Sequence, residues 1–290
     1  MSDVILLMGH GSADREGAEE FVQVVEAVRA ESELPVEAGF LEFFGPVLPS
    51  IGEAMDAVAA SGAERVLAVP VLLFYAGHAK YDMPGQIVAG RERHPRLDLR
   101  AAPPFGTQEP LLEIIEQRIR ELEERLGSTA REETAVLLVG RGTSDPEANA
   151  DFYKIGRLIW ERNECAAVEC CFIAMTQPGV PEGIERCVRL GARRVLVVPY
   201  FINTGVLVKR IEQKALAARE QYPGVEIGVG EHFHAHPKLV RLILDRARAL
   251  AEQAEDALDM LSERTCLYRC AAASRHHHHE HEHVHAGVEG

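Results

Sequence analysis

Short apolar runs alternate with longer amphipathic stretches along the whole chain. The short runs are rich in Val, Leu and Ile and predict buried β-strands. The longer stretches space their apolar residues three and four positions apart, which predicts helices with one buried face. In the first half we predict strands at 4–8, 36–41, 66–71 and 97–101, each followed by a helix, at 15–31, 47–61, 81–94 and 108–126.

The same order returns in the second half of the chain. The predicted strands there are 135–139, 168–173, 195–198 and 225–229, and the predicted helices are 146–163, 180–190, 206–222 and 237–263. Buried strands separated by helices form parallel sheets covered on both faces. We therefore predict an α/β protein with two tandem, duplicated, doubly wound parallel-sheet domains and a cleft between them.

Matching motifs indicate that the two halves are copies of one unit. Residues 8–14 (MGHGSAD) match residues 139–145 (VGRGTSD), an offset of 139 − 8 = 131, and residues 65–70 (RVLAVP) match residues 194–199 (RVLVVP), an offset of 194 − 65 = 129. Such self-similarity predicts repeated structural units. We predict one domain at 1–127, a linker at 127–134, a second domain at 134–263 and a Cys/His-rich tail at 264–290.

Composition and charge exclude several classes of protein. The net charge of −14 argues against a nucleic-acid partner, because phosphate contacts need a basic surface. No apolar stretch is long enough to span a bilayer, and the apolar run near the start lacks the basic flank of an export signal. We expect a cytoplasmic protein without a membrane partner, in which Cys165, Cys170, Cys171 and Cys187 are core or near-core thiols.

Candidate chemistry follows three strands of the first half. His10 comes after the first strand, Glu42 ends the second, and His78 follows the third. Functional groups of a parallel sheet gather at the carboxyl ends of its strands, so these three side chains could face one cleft. Two imidazoles and a carboxylate can bind a first-row divalent metal and can also accept protons near neutral pH.

The turn that carries His10 has further polar residues. Gly9 and Gly11 allow a tight strand-to-helix turn, and Ser12 or Asp14 is suited to cap the next helix, which favours an anion or carboxylate near its start. Neither a Walker-type loop nor a G-x-G-x-x-G run is present, so no organic cofactor is expected.

Three spaced motifs of the first half occur together in a known family. They are residues 7–12 (LMGHGS), residues 40–42 (FLE) with Pro46 and Pro49 after them, and residues 69–73 (VPVLL) leading to Gly77, His78 and residues 82–84 (DMP). With these motifs the chain resembles the sirohydrochlorin cobaltochelatase family of the CbiX type, over about 260 residues that include both copies.

The resemblance implies an enzyme that inserts Co²⁺ into the tetrapyrrole sirohydrochlorin and releases two protons. It also implies that His10, His78 and Glu42 bind the metal and assist proton removal. Fe²⁺ or Ni²⁺ is an alternative metal, because preference among first-row metals follows geometry and supply more than ligand type. Two rivals from other classes are a metal-storage or chaperone protein and a two-domain periplasmic-type binding protein.

The second copy lacks the metal-binding side chains. Arg141 stands where the first copy has His10, Ala174 stands where it has Glu42, and Val206 follows Gly205 where His78 follows Gly77. The resemblance implies a structural or substrate-holding half, and a monomer with an internal pseudo-dimer. Arg141 could bind a tetrapyrrole carboxylate or be an exposed loop residue. Together with Ser12 and Tyr75 it makes up the predicted substrate-binding set.

Two further histidine groups lie in the second half. His232, His234 and His236 alternate before the last helix and form either a second metal site or an ordinary loop. The tail histidines suit weak, multiple metal binding, as a metal store or as an expression tag; they are His276, His277, His278, His279, His281, His283 and His285. Cys266 and Cys270 are too few for an iron–sulfur cluster ligated by four cysteines of one chain.

Overall fold

The computed structural model describes residues 2–42, 45, 47–77, 80, 82–127 and 130–252. Its strands are Asp3–Gly9 (β1), Val36–Phe40 (β2), Arg65–Pro70 (β3), Asp98–Ala101 (β4), Thr134–Gly140 (β5), Ala167–Phe172 (β6), Arg194–Pro199 (β7) and Glu226–Val229 (β8). Its helices are Arg15–Glu31 (α1), Ile51–Ala60 (α2), Met83–Arg93 (α3), Glu109–Leu126 (α4), Pro146–Arg162 (α5), Val180–Arg189 (α6), Val206–Gln221 (α7) and Pro237–Glu252 (α8).

The strands form two parallel four-stranded sheets with the same topology. Their orders are β2-β1-β3-β4 and β6-β5-β7-β8. The registers also correspond, since Met8 of β1 lies beside Pro70 of β3 and Val139 of β5 lies beside Pro199 of β7. The predicted α/β class with two duplicated parallel sheets is confirmed.

Some helix boundaries differ from the prediction for local reasons. The helix predicted at 47–61 begins at Ile51, because Ser50 and Glu53 form a capping box in which each side chain accepts the other residue's backbone N–H. The helix predicted at 81–94 begins at Met83. The helix predicted at 237–263 is α8 as far as Glu252, and 253–263 lie outside the described residues.

Alternate residues of each strand enter different cores. Ile5 and Leu7 of β1 point into a central core, whereas Leu6 and Met8 point into an outer core beneath α2 and α3. The second sheet has a corresponding outer core beneath α6 and α7. The central core lies between the two sheets and contains the buried faces of α1, α4, α5 and α8. The two halves therefore share one hydrophobic interior.

The last helix of each half packs on the sheet of the other half. Helix α8 contacts β3, and helix α4 contacts β7 and β8. Equivalent arginines hold the two helix ends: Arg65 donates to the carbonyl of Ala251 at 3.2 Å, and Arg194 donates to the carbonyl of Gly127 at 2.8 Å. Because each of these helices covers the sheet of the other half, each half completes the hydrophobic packing of the other.

The four cysteines of the described chain are free thiols, as predicted for core residues. Cys170, Cys171 and Cys187 are buried and Cys165 is partly exposed. Burial raises the pKa of Cys170 and of Cys187 to about 12, so both thiols are protonated and unreactive near neutral pH.

Among the described helices, none combines the length and the apolar character that crossing a membrane requires.

Candidate active site

A cavity of about 620 Å³ lies where the loops after β1, β3, β5 and β7 converge. This volume is typical of small-molecule sites. The loops come from both halves, and their wall is mostly apolar with a few polar groups. The predicted cleft is therefore a cavity shared by the two copies, at the carboxyl ends of their central strands.

The turn after β1 brings His10 to this cavity. Gly11 has φ +94°, and a Cβ atom at this position would collide with the carbonyl oxygen of Glu42, so the turn requires glycine. The backbone N–H of Glu42 donates to the carbonyl of His10 at 2.9 Å. The ends of β1 and β2 are thereby held side by side.

The contacts of the His10 ring favour one tautomer. Its Nδ1 lies 3.1 Å from the carbonyl oxygen of Gly11, which can only accept, so this contact is a hydrogen bond in the tautomer that carries the proton on Nδ1. Nε2 then has the lone pair that a metal ion or a proton requires. A backbone carbonyl that orients a histidine in this way is a common partner of metal-binding imidazoles.

The other predicted site residues are only partly brought together. Ser12 and Arg141 line the cavity with His10. Glu42 and Tyr75 are half-buried and are not among the described lining residues. His78 lies outside the described residues, as do the tail histidines, Cys266 and Cys270. The roles of these residues remain predictions.

The turn after β5 repeats the backbone geometry of the His10 turn with different chemistry. Gly142 has φ +82°, and a Cβ atom there would collide with the carbonyl oxygen of Ala174. Arg141 occupies the position equivalent to His10 and lines the same cavity. One half thus places a half-buried histidine at the cavity and the other places an exposed arginine there.

An aromatic wall lines the cavity, and sequence reasoning missed it. The ring of Tyr200 lies 5.3 Å from that of Phe74 and 5.7 Å from that of Phe152, measured between centroids. Phe74 belongs to the first half and the other two belong to the second, so the cluster bridges the halves. The repeat carried a signal for this wall, because Phe21 and Phe152 both line the cavity and are separated by 152 − 21 = 131 residues.

Reciprocal ion pairs join the halves beside the cavity. Lys209 lies 2.8 Å from the carboxylate of Asp14, which caps α1. Lys80 lies 2.5 Å from the carboxylate of Asp145, which caps α5. The hydrogen bond from Lys209 lowers the pKa of Asp14. Each lysine thus pairs with the capping aspartate of the other half, and the common offset of the lysines, 209 − 80 = 129, was the available sequence signal.

We expect Lys209→Met to raise the pKa of Asp14 towards its ordinary value. The Asp14 carboxylate keeps its helix-capping bond to the Glu16 N–H but loses the neighbouring ammonium. An NMR pH titration of the Asp14 carboxyl carbon measures the shift. Lys154→Met on the surface of α5 is the control, and an unchanged Asp14 midpoint in Lys209→Met contradicts the pairing.

The alternating loop histidines do not form one set. His236 Nε2 lies 2.9 Å from Gln117 Oε1 of α4, whereas His232 and His234 lie beside Glu20 of α1. His234 has φ +54°, and this left-handed residue breaks the alternation expected of an extended segment. Alternation along an extended segment would place all three histidines on one side of it, and this prediction is wrong for His236.

A family model described as CbiX matches residues 4–122 and 135–250 of the chain. The chain belongs to the CbiX family. Among CbiX relatives, a sirohydrochlorin cobaltochelatase of Priestia megaterium is 39% identical over 266 residues, 91% of this chain and 84% of that protein. A sirohydrochlorin ferrochelatase of the same organism is 34% identical over 213 residues, 73% of this chain and 77% of that protein.

A solved CbiX-like structure has the same fold. The sirohydrochlorin chelatase SirB of Bacillus subtilis subspecies spizizenii, in complex with cobalt, superimposes with a TM-score of 0.73 and 27% identity. The match covers 88% of this chain and 97% of SirB. Membership of the CbiX family favours a metal-inserting enzyme over the binding-protein interpretation.

Proposed function

We propose that this chain is a sirohydrochlorin cobaltochelatase, which inserts Co²⁺ into sirohydrochlorin within the cavity between its two halves. One observation carries the proposal: His10 of the first half and Arg141 of the second line the same apolar cavity. A metal ligand and a carboxylate-binding group therefore meet where a tetrapyrrole could contact both. The relatives named above, a cobaltochelatase and a ferrochelatase, support this chemistry.

The cavity wall suits a flat macrocycle with an acidic rim. Phe74 is half-buried and offers aromatic surface for the ring system, and the buried rings of Phe152 and Tyr200 pack behind it. Tyr200 is buried, and among the described residues no group forms a hydrogen bond with its hydroxyl. Burial raises the pKa of Tyr200, which keeps the hydroxyl protonated and able to donate.

Metal transfer requires ligands that exchange readily and bases that accept two protons. In the proposed reaction, Co²⁺ passes from His10 Nε2 to the pyrrole nitrogens, and the two pyrrole N–H protons leave to neighbouring bases. We assign Glu42 and His78 as the companion ligands and bases. Ligands in fixed positions reduce the reorganisation needed when the metal loses its water shell.

Arg141 is assigned to substrate binding rather than to metal transfer. We expect Arg141→Ala to raise the KM for sirohydrochlorin about tenfold with little change in kcat, because a ground-state contact to a carboxylate is lost. Steady-state kinetics with Co²⁺ measure both constants. The control is Arg157→Ala, which removes a surface arginine of α5 that pairs with Glu161. A fall in kcat at constant KM contradicts the assigned role.

The test of the function is metal insertion by the full-length protein. Sirohydrochlorin is mixed with Co²⁺, Fe²⁺ or Ni²⁺ in turn, and the absorption spectrum of the macrocycle follows insertion. We expect insertion well above the uncatalysed rate, fastest with Co²⁺. A preference for Fe²⁺ makes the chain a ferrochelatase instead. Tight metal binding without insertion supports the storage or chaperone alternative and overturns the enzyme.

We further propose that the enzyme acts as a monomer in the cytoplasm. The exchanged helices α4 and α8 and the reciprocal lysine pairs supply, within one chain, the contacts that two separate subunits would make. The four free thiols of the described chain are compatible with a reducing compartment.

A further inference from the structure

A three-residue cluster lies outside the cavity, at the junction of the two halves. Glu20 belongs to α1 of the first half, and His232 and His234 belong to the loop between β8 and α8 of the second half. Glu20 Oε2 is 2.7 Å from His232 Nε2, and Glu20 Oε1 is 3.4 Å from His234 Nδ1. The two imidazole rings are 3.7 Å apart between centroids.

The spacing of these atoms suits a single metal ion. The three donor atoms lie within 4.8 Å of one another. Ligand atoms bonded at about 2.0 Å in a tetrahedral site are separated by about 3.3 Å, so small side-chain rotations place all three around one ion. Three protein ligands leave at least one position for water.

Burial and charge favour a cation in this cluster. The side chains of Glu20 and His232 are only 13% and 7% exposed, and that of His234 is 38% exposed, which leaves a path from solvent. Among the described residues, the ionic partners of the Glu20 carboxylate are these two histidines. A second carboxylate, Glu231, lies 3.5 Å from His234 Nε2. With the imidazoles in the neutral form that binds metals, the two carboxylates leave a negative charge that a divalent ion compensates.

The backbone around the cluster holds its members in place. Thr204 donates its N–H to Glu20 Oε2 at 2.6 Å, and Arg118 of α4 donates to the carbonyls of His232 and Phe233 at 2.9 and 3.1 Å. These bonds orient the carboxylate and the loop without using a donor atom of either histidine ring. Thr204 also lines the cavity, so the cluster lies directly behind the cavity wall.

We propose that Glu20, His232 and His234 form a second metal site, which binds a borderline divalent ion such as Zn²⁺ or Co²⁺ and ties the two halves together. Two imidazoles and a carboxylate are the donor set such ions prefer. An ion here links α1 of one half to the β8–α8 loop of the other and stiffens the Thr204 segment of the cavity wall. The site is separate from the His10 site and does not depend on the reaction proposed for the cavity.

The test measures Co²⁺ binding to the full-length chain with competing donors removed. His10, His78 and the seven tail histidines are changed to alanine, and Co²⁺ is titrated while its visible d–d absorption is recorded. We expect saturable binding. Glu20→Gln and His234→Asn, added singly, should each weaken it by more than about tenfold, because even indirect changes around a metal lower affinity about 10- to 100-fold.

The two variants are chosen to preserve the fold. Glutamine retains an oxygen for the Thr204 N–H, and asparagine tolerates the left-handed backbone of His234. The control is His236→Asn, which removes the neighbouring histidine that bonds to Gln117. Equal Co²⁺ affinity in all variants overturns the site, as does an absence of binding in the starting background.

A crystallographic experiment locates the ion directly. Crystals of the full-length wild-type protein are soaked in Co²⁺, and anomalous scattering is recorded at the cobalt edge. We expect a peak within bonding distance of Glu20, His232 and His234. Anomalous peaks elsewhere without one at this cluster overturn the proposal, whether or not the protein inserts metal into sirohydrochlorin.

Discussion

Alanine in place of His10 is expected to lower the rate of Co²⁺ insertion into sirohydrochlorin by at least about 100-fold. The side chain lines the cavity, and its Nδ1 is positioned to donate to the Gly11 carbonyl, which leaves Nε2 to bind the ion or accept a proton. Alanine supplies neither function. The backbone turn is set by Gly11 and by the Glu42-to-His10 hydrogen bond, so the fold should survive.

The measurement is the initial rate of the spectral change with Co²⁺ at saturating sirohydrochlorin. His94→Ala is the matched control, because His94 also lies in the first half but pairs with Asp56 at 2.7 Å and does not line the cavity. Sirohydrochlorin binding, followed by fluorescence without metal, should change little in His10→Ala. If His10→Ala keeps an activity within threefold of wild type, the activation free energy changes by less than about 1 kcal/mol. This result would contradict a role of His10 in the reaction.

Alanine in place of Phe152 is expected to reduce the free energy of unfolding by about 3–5 kcal/mol. The ring is 1% exposed. It packs against Phe74 of the first half at 6.1 Å and against Phe172 and Tyr200 of its own half at 5.4 and 5.7 Å, between centroids. Its removal leaves a void in the core that joins the two halves, which neighbouring rings can fill only in part.

Urea unfolding followed by far-ultraviolet circular dichroism measures this loss. Tyr153→Ala is the control, since this adjacent residue of α5 is 43% exposed and its truncation removes less buried surface. A Phe152→Ala loss no greater than that of Tyr153→Ala contradicts the view that the aromatic cluster stabilises the junction. A loss that appears as a separate early transition shows that the halves unfold independently.

The sequence alone was sufficient to predict the strands, the helices and their duplication. Strand and helix periodicities are properties of neighbouring residues, so alternation alone predicted all eight described strands and the helices between them. The repeated turns MGHGSAD and VGRGTSD placed His10 and Arg141 at equivalent strand ends, whereas the packing of the two sheets on each other brings both to one cavity. The start of α2 was predicted less accurately. The capping box of Ser50 and Glu53 sets this start at Ile51, whereas the predicted helix began at residue 47.

Only the tertiary structure decided which partners those elements meet. An amphipathic stripe shows that α4 and α8 bury one face, but it cannot show that each covers the sheet of the other half. The same holds for Glu20 and His232, which are 232 − 20 = 212 residues apart and touch because α1 and the β8–α8 loop pack together. Periodicity is a local property of the chain, whereas the choice of partner depends on how all buried faces are satisfied at once.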